Sequence, residues 1–157
     1  MNYNLGLVIS KQFEEIKKTL TGRKYPENLI WFLTERCNLK CGHCFVSHKG
    51  RKYRDEITYD QINKILNTSK NSLKKIAFTG GEPLLNKDFE NIFISAGALP
   101  NLKELHVSTN GMFNEKLFSI LQKCKNEKIH YHVQSSLDGS EEIHNAIRGN
   151  KRSYKGV

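Results

Sequence analysis

Apolar residues along this chain change rhythm repeatedly, from short continuous runs to helical spacing and back. Leu29-Ile30-Trp31-Phe32-Leu33-Thr34 is a run of strand length and predicts a strand buried on both faces. Next comes a helix-start signal: Thr58 and Gln61 form a capping box, and Ile57 can staple to Ile62. Ile62, Ile65, Leu66 and Ser69 continue that helix's inner stripe. Ile76-Ala77-Phe78-Thr79 predicts a second strand, ended by Gly80-Gly81, and Phe89, Ile92, Phe93 and Ala96 stand at helical spacing. Leu105 to Thr109 predicts a third strand with Asn110-Gly111 as its turn. A helix capped by Asn114 then covers Leu117, Phe118 and Leu121. Ile129 to Leu137 predicts a fourth strand and Asp138-Gly139 turns the chain. Ser140 caps a last helix with Glu141 and Glu142 in its first turn. Ahead of all this, Ser10, Phe13, Ile16 and Leu20 predict a short helix, broken from Gly22 to Pro26.

Strands alternating with helices imply parallel βαβ units with right-handed crossovers. An open doubly wound sheet and a β/α barrel both satisfy that order, and both place their sites at the carboxyl ends of the strands. Every unusual cluster of this sequence falls there. Three cysteines follow strand one, and Gly80-Gly81-Glu82-Pro83 follows strand two. Thr109-Asn110-Gly111 follows strand three, and Ser136-Leu137-Asp138-Gly139 follows strand four.

Strand parity adds a second expectation. Ile129, Tyr131, Val133 and Leu137 share one face of strand four, and His130, His132, Gln134 and Ser136 share the other. On strand three, His106 and Ser108 alternate with Leu105 and Val107. Barrel interiors are filled by branched apolar residues, so two adjacent polar faces predict an open, wet lumen for a polar ligand.

Composition narrows the class. The chain has 157 residues, 38% apolar and 26% charged, the balance of one globular domain with a real core. No apolar stretch approaches a membrane span, and the N-terminus lacks the pattern of a secretion signal, so a cytoplasmic setting is expected. The net charge is +9, yet the lysines are spread along the chain without interleaved aromatics. A solvated basic surface explains them better than a nucleic-acid site.

Of the four cysteines, Cys124 sits in a helical pattern and reads as a small buried hydrophobe. Cys37, Cys41 and Cys44 form C-x3-C-x2-C, a metal-binding arrangement in a reducing compartment. A Cys3His zinc site would recruit His43 or His48. All the thiols lie in one loop, however, and His43 sits awkwardly between two of them. An iron–sulfur cube held by three thiolates would leave one iron open to a small molecule. Redox-active thiols are the third alternative.

The residues also carry a family resemblance. Cys37-Asn38-Leu39-Lys40-Cys41-Gly42-His43-Cys44-Phe45 resembles the cluster loop of radical S-adenosylmethionine (radical SAM) enzymes. Phe78-Thr79-Gly80-Gly81-Glu82-Pro83-Leu84, Ser108-Thr109-Asn110-Gly111 and Ser136-Leu137-Asp138-Gly139-Ser140 are similar to later motifs of that family, in order. Asp138 to Gly149, with His144 and Arg148, looks most like the members that modify peptides and protein side chains, which often carry a C-terminal extra-cluster domain of the SPASM type. The resemblance covers Leu29 to Gly149.

It implies a [4Fe–4S] cluster ligated by Cys37, Cys41 and Cys44. The open iron would bind the amino and carboxylate groups of S-adenosylmethionine. Reductive cleavage of that cofactor yields a 5′-deoxyadenosyl radical that takes hydrogen from a substrate. Gly80, Gly81 and Glu82 are expected to meet the methionyl amino group. Thr109 is expected to bond the carboxylate, Ser136 the carboxylate or ribose, and Arg148 a carboxylate. Asp138 is read as the turn former of Asp-Gly and His144 as structural. His43 would flank the adenine or face solvent. Phe45 replaces the usual Tyr and would pack beside the cluster.

The expected fold is thus α/β, a partial parallel β/α (TIM-like) barrel with four βα units of the about six that the resemblance implies. Residues 1–28 read as a lead-in and 29–157 as the N-terminal part of the core domain, which suggests a truncated chain of low turnover. The expected partners are a peptide or protein substrate, or a small molecule as in cofactor biosynthesis, and an electron donor such as flavodoxin or ferredoxin. A zinc-stabilised RNA-binding module is the reading from another class.

Overall fold

The computed structural model of the protein describes residues 25–45, 56–124 and 126–157. The helix expected around Ser10 to Leu20 lies outside the described residues, as does His48. Four strands alternate with four helices: β1 (Asn28–Phe32), α1 (Tyr59–Ser69), β2 (Lys75–Thr79), α2 (Phe89–Gly97), β3 (Glu104–Thr109), α3 (Asn114–Lys123), β4 (His130–Ser135) and α4 (Glu141–Arg148). Single 3-10 turns occupy Pro83–Leu85 and Tyr154–Gly156. The sheet order is β1-β2-β3-β4 and every pair is parallel. This is the expected partial β/α barrel. Among the described residues, no helix is long and apolar enough to cross a membrane.

The capping box of α1 forms as read. The Thr58 side chain accepts from Gln61 N, and the Gln61 side chain accepts from Thr58 N. Ile62 and Leu66 of that helix are fully buried. They join Ile76 and Phe78 of β2 and Leu105 and Val107 of β3 in one core. Phe78, Phe89 and Phe93 form its aromatic centre, with ring centroids 5.7 to 6.1 Å apart. Cys124 belongs to this core, as expected of a small hydrophobe, with its Sγ 3.5 Å from the Tyr131 hydroxyl.

Three expectations are corrected. β1 is not buried on both faces: Ile30 and Phe32 are 70% and 54% exposed, while Leu29 and Trp31 pack against the core. The helices cover one face of the sheet only, and period two puts Ile30 and Phe32 on the other. In α3 the inner stripe is Leu117 and Ile120, and Phe118 is 63% exposed because it lies about 100° around the helix from Leu117. Asn114 opens α3 rather than capping it, and its side-chain amide donates to Gly156 O.

The polar inner face appears where parity put it. Glu104 and His106 on β3 alternate with the buried Leu105 and Val107, and His130 and His132 on β4 flank Tyr131, which packs on the core, while Val133 is 48% exposed at the sheet edge. The four loops at the carboxyl edge of the strands meet one another through the contacts below.

Candidate metal centre

The stem of the cysteine loop is an extension of the β1–β2 ladder. Leu33 N bonds Thr79 O, Gly81 N bonds Thr34 O, and Glu82 N bonds Arg36 O, at 3.0, 2.8 and 2.8 Å. This pairing explains the two glycines. A Cβ on Gly80 would stand 2.4 Å from Thr34 O, and one on Gly81 would stand 2.2 Å from Arg36 O. Gly80 also has φ +139°, which L side chains avoid. The expected close backbone approach is therefore made first to the protein's own loop.

Glu82 differs from expectation. It is 0% exposed, and its carboxylate accepts three protein donors. Oε1 takes the Thr109 hydroxyl at 2.9 Å and Leu84 N at 3.3 Å, and Oε2 takes Asn110 N at 2.8 Å. Burial pushes its pKa above the ordinary carboxylate value, and these donors oppose the rise. Glu82 is a clasp between the β2 and β3 loops, with no oxygen facing outward. The Thr109 hydroxyl is engaged the same way, since its proton goes to Glu82 while it accepts Gly111 N. Both side chains are thus engaged by protein partners.

The cysteine loop is fastened on its other side by the end of α4. Lys40 N and Gly42 N donate to the carbonyls of Arg148 and Ile147. Gly149, with φ +64°, ends α4 and lets Lys40 pass, since a Cβ there would stand 3.2 Å from Lys40 O. Leu39, buried, anchors the middle of the loop. All three cysteines are free and half-buried. Cys37 Sγ accepts from Leu39 N at 3.5 Å and from Asn110 Nδ2 at 3.8 Å, and Cys41 Sγ accepts from Arg148 Nη1 at 3.7 Å. Burial raises the Cys37 pKa, and the charges of Glu82 and Cys41 add to that rise.

Arg148 reaches Cys41 because Asp138 holds it. Nε and Nη2 donate to the two Asp138 oxygens at 2.6 and 2.9 Å. The arginine keeps the Asp138 carboxyl below its usual range. Asp138, read from the sequence only as a turn former, thus helps to build the site. His144 is buried, and its Nδ1 accepts from Asp138 N, while its Nε2 has no hydrogen-bond partner among the described residues. Ser136 is half-buried directly after β4. His43 is exposed, and Phe45 is 85% exposed with its ring edge-on to Phe32.

Two further groups escaped sequence reasoning. Asn110 joins the β3 loop to the cysteine loop by donating to Asn38 Oδ1 at 2.8 Å as well as to Cys37. Glu56 receives Arg36 Nε and Nη2 at 2.9 Å each, the Thr34 hydroxyl, and Asn86 Nδ2. Burial works against the Glu56 charge, but Arg36 and Thr34 hold its pKa below normal. An Asn-Gly turn and a lone Glu give no signal of either contact.

The donor set suits thiolate ligands: the three cysteines lie in one loop, and N–H groups of Leu39 and Asn110 meet Cys37 Sγ while Arg148 meets Cys41 Sγ. Hydrogen bonds of this kind to sulfur fit an iron–sulfur cluster held by thiolates.

The sequence pattern of the Radical SAM superfamily matches residues 31–157. The chain belongs to that superfamily. Radical SAM proteins use a [4Fe–4S] cluster and S-adenosylmethionine, the pair that the family resemblance implied. GTP 3′,8-cyclase from Clostridium acetobutylicum is 32% identical over 94 residues, 59% of this chain and 30% of that protein. Fe-coproporphyrin III synthase from Methanosarcina barkeri is 30% identical over 127 residues, 80% of this chain and 31% of that protein. The matched region thus spans about a third of each relative's length. The fold superposes on Streptococcus suis SuiB, solved with S-adenosylmethionine and with its precursor peptide SuiA. The TM-score is 0.69 at 22% identity, over 99% of this chain and 36% or 34% of SuiB.

Proposed function

We propose that this chain forms the cluster- and cofactor-binding part of a radical SAM enzyme that abstracts hydrogen from a peptide or protein side chain. The observation that carries it is the convergence of three half-buried cysteines, two of them receiving N–H donors from the β3 loop and α4, at the carboxyl edge of a parallel sheet. Cys37, Cys41 and Cys44 would hold three irons and leave the fourth for the amino and carboxylate groups of S-adenosylmethionine. When bound, that pair supplies reductive cleavage of the sulfonium and removal of a hydrogen atom from the substrate.

The chain's own residues bind and orient. The backbone of Gly80 and Gly81 offers carbonyl acceptors for the ammonium group. Arg148 brings a guanidinium, already aligned by Asp138, toward the carboxylate. Ser136 is a donor for the carboxylate or ribose. Glu82 and Thr109 act by fixing the loops that carry these groups. An electron donor of flavodoxin or ferredoxin type and a cytoplasmic setting complete the reading, since thiolates and cluster need a reducing compartment.

The peptide substrate rests on the likeness of Asp138 to Gly149 to peptide-modifying members. A second reading, a small molecule, rests on the relatives named above, a GTP cyclase and a coproporphyrin synthase. Anaerobic reconstitution with iron and sulfide tests the common core. A brown protein whose reduced-cluster EPR signal shifts on adding S-adenosylmethionine, with colour lost in Cys41→Ala, is expected. Colourless protein holding one equivalent of zinc would overturn it. Substrate class is then read from which compounds, peptides or nucleotides and porphyrins, raise 5′-deoxyadenosine yield.

A further inference from the structure

The inner face of the sheet carries a second cluster of ligating side chains, separate from the cysteines. Glu104 and His106 stand two residues apart on β3 and so share that face. His132 is the register partner of His106 on β4. The two imidazoles stack, with centroids 4.2 Å apart and planes 13° from parallel. Glu104 Oε2 lies 2.8 Å from His106 Nε2, and one donor atom from each of the three falls within 4.8 Å of the others. The cluster sits about 10 Å below the edge that carries the cysteine loop, counting three residues from His106 to Thr109 at about 3.3 Å each.

We propose that Glu104, His106 and His132 form a divalent-cation site of the zinc type. Two imidazoles and one carboxylate are a ligand set that leaves a fourth position for water or a substrate oxygen. The geometry favours it in two ways. All three ligands stand on paired strands, so little backbone entropy is lost on binding. Glu104 already bonds one imidazole, and the second lies beside the first. The competitor is Lys75, whose Nζ lies 2.9 Å from Glu104 Oε2. A divalent ion would displace that ammonium, which is half exposed and free to swing into water.

The test uses Co2+ as the probe, on tag-free protein carrying Cys37→Ala, Cys41→Ala and Cys44→Ala so that no loop thiolate remains. Visible bands of low-symmetry cobalt, without sulfur charge transfer, should saturate at one equivalent, and zinc should displace the cobalt. His132→Ala and Glu104→Gln, both at exposed or half-exposed positions, should each weaken binding on the order of tenfold or more. Lys75→Met should tighten it. Histidine ring NMR of the cysteine-intact protein with alkylated thiols gives the same reading should the triple variant fold poorly, as zinc should shift His106 and His132 together. Binding unchanged by His132→Ala, or no shift of either ring, would overturn the site.

Discussion

Replacing Glu82 by alanine isolates the clasp between the β2 and β3 loops. The carboxylate is wholly buried and receives Asn110 N, the Thr109 hydroxyl and Leu84 N. Removing it leaves three buried donors short of an acceptor, at about 1 kcal/mol each. The vacated side-chain volume adds about 1 kcal/mol. Relief of the buried charge, the cause of the raised pKa, offsets part of this loss. The net loss is about 3 kcal/mol. With a urea m value of about 2 kcal/mol/M, the unfolding midpoint should fall by about 1.5 M at unchanged slope. The assay is urea unfolding of cofactor-free protein at neutral pH, followed by circular dichroism. Glu82→Gln keeps the volume and one acceptor oxygen and should lose less than half as much. A midpoint for Glu82→Ala within about 0.3 M of wild type, with S-adenosylmethionine affinity lost, would refute the clasp and return Glu82 to the ligand.

Gly81→Ala would put a Cβ 2.2 Å from Arg36 O, against backbone that cannot step aside; a loss of about 2 kcal/mol or more and reduced iron uptake on reconstitution are expected. Gly97→Ala would put a Cβ 2.4 Å from Cys124 Sγ. It should cost about 1–3 kcal/mol alone and less in a Cys124→Ala background, a coupling that a double-mutant thermal-denaturation cycle measures. Asp138 has a depressed pKa, caused first by its bond to Arg148, so its stabilising contribution is present above the unfolded value of about 3.9 and is lost as pH falls through the lower folded value. Acid unfolding of Asp138→Asn should lack that component. Glu82 runs the other way: its raised pKa makes wild type lose stability relative to Glu82→Gln as pH rises from about 4.3 through the folded value.

The alternation of strand and helix was legible because the core is simple. Ile76, Phe78, Leu105 and Val107 alternate strictly, and Thr58 with Gln61 forms the capping box that their spacing announces. The loops that carry chemistry were legible through their position after each strand. Period two states which residues share a face, but not whether that face is covered, so Ile30 and Phe32 looked like core and are exposed. The direction of Glu82 was hidden for a related reason. A carboxylate after Gly-Gly looks outward in sequence, yet Pro83 turns the chain into a 3-10 turn whose first residues fold Glu82 back over Leu84 N. The Asp138–Arg148 pair spans a whole helix, a spacing that matches no local rule, so only the fold brings the two together.

Three carboxylates link the loops in series, and this bears on how the metal enters. Glu56 grips Arg36 in the stem of the cysteine loop. Glu82 ties the β2 loop, itself bonded to that stem, to Asn110, which returns to Asn38 and Cys37. Asp138 fixes Arg148 at the end of α4, whose last carbonyls hold Lys40 and Gly42. The cysteine loop is therefore tied down on both flanks by hydrogen bonds that need no metal. A loop ordered only by its metal would gain much of its stability on loading, as small zinc modules do. Here the ordering cost is met by the carboxylate bonds, so loading should leave far-UV circular dichroism unchanged, and protease resistance between Cys37 and Cys44 should be present beforehand. Protection that arises only after reconstitution would show that the metal, and not the three carboxylates, builds the loop.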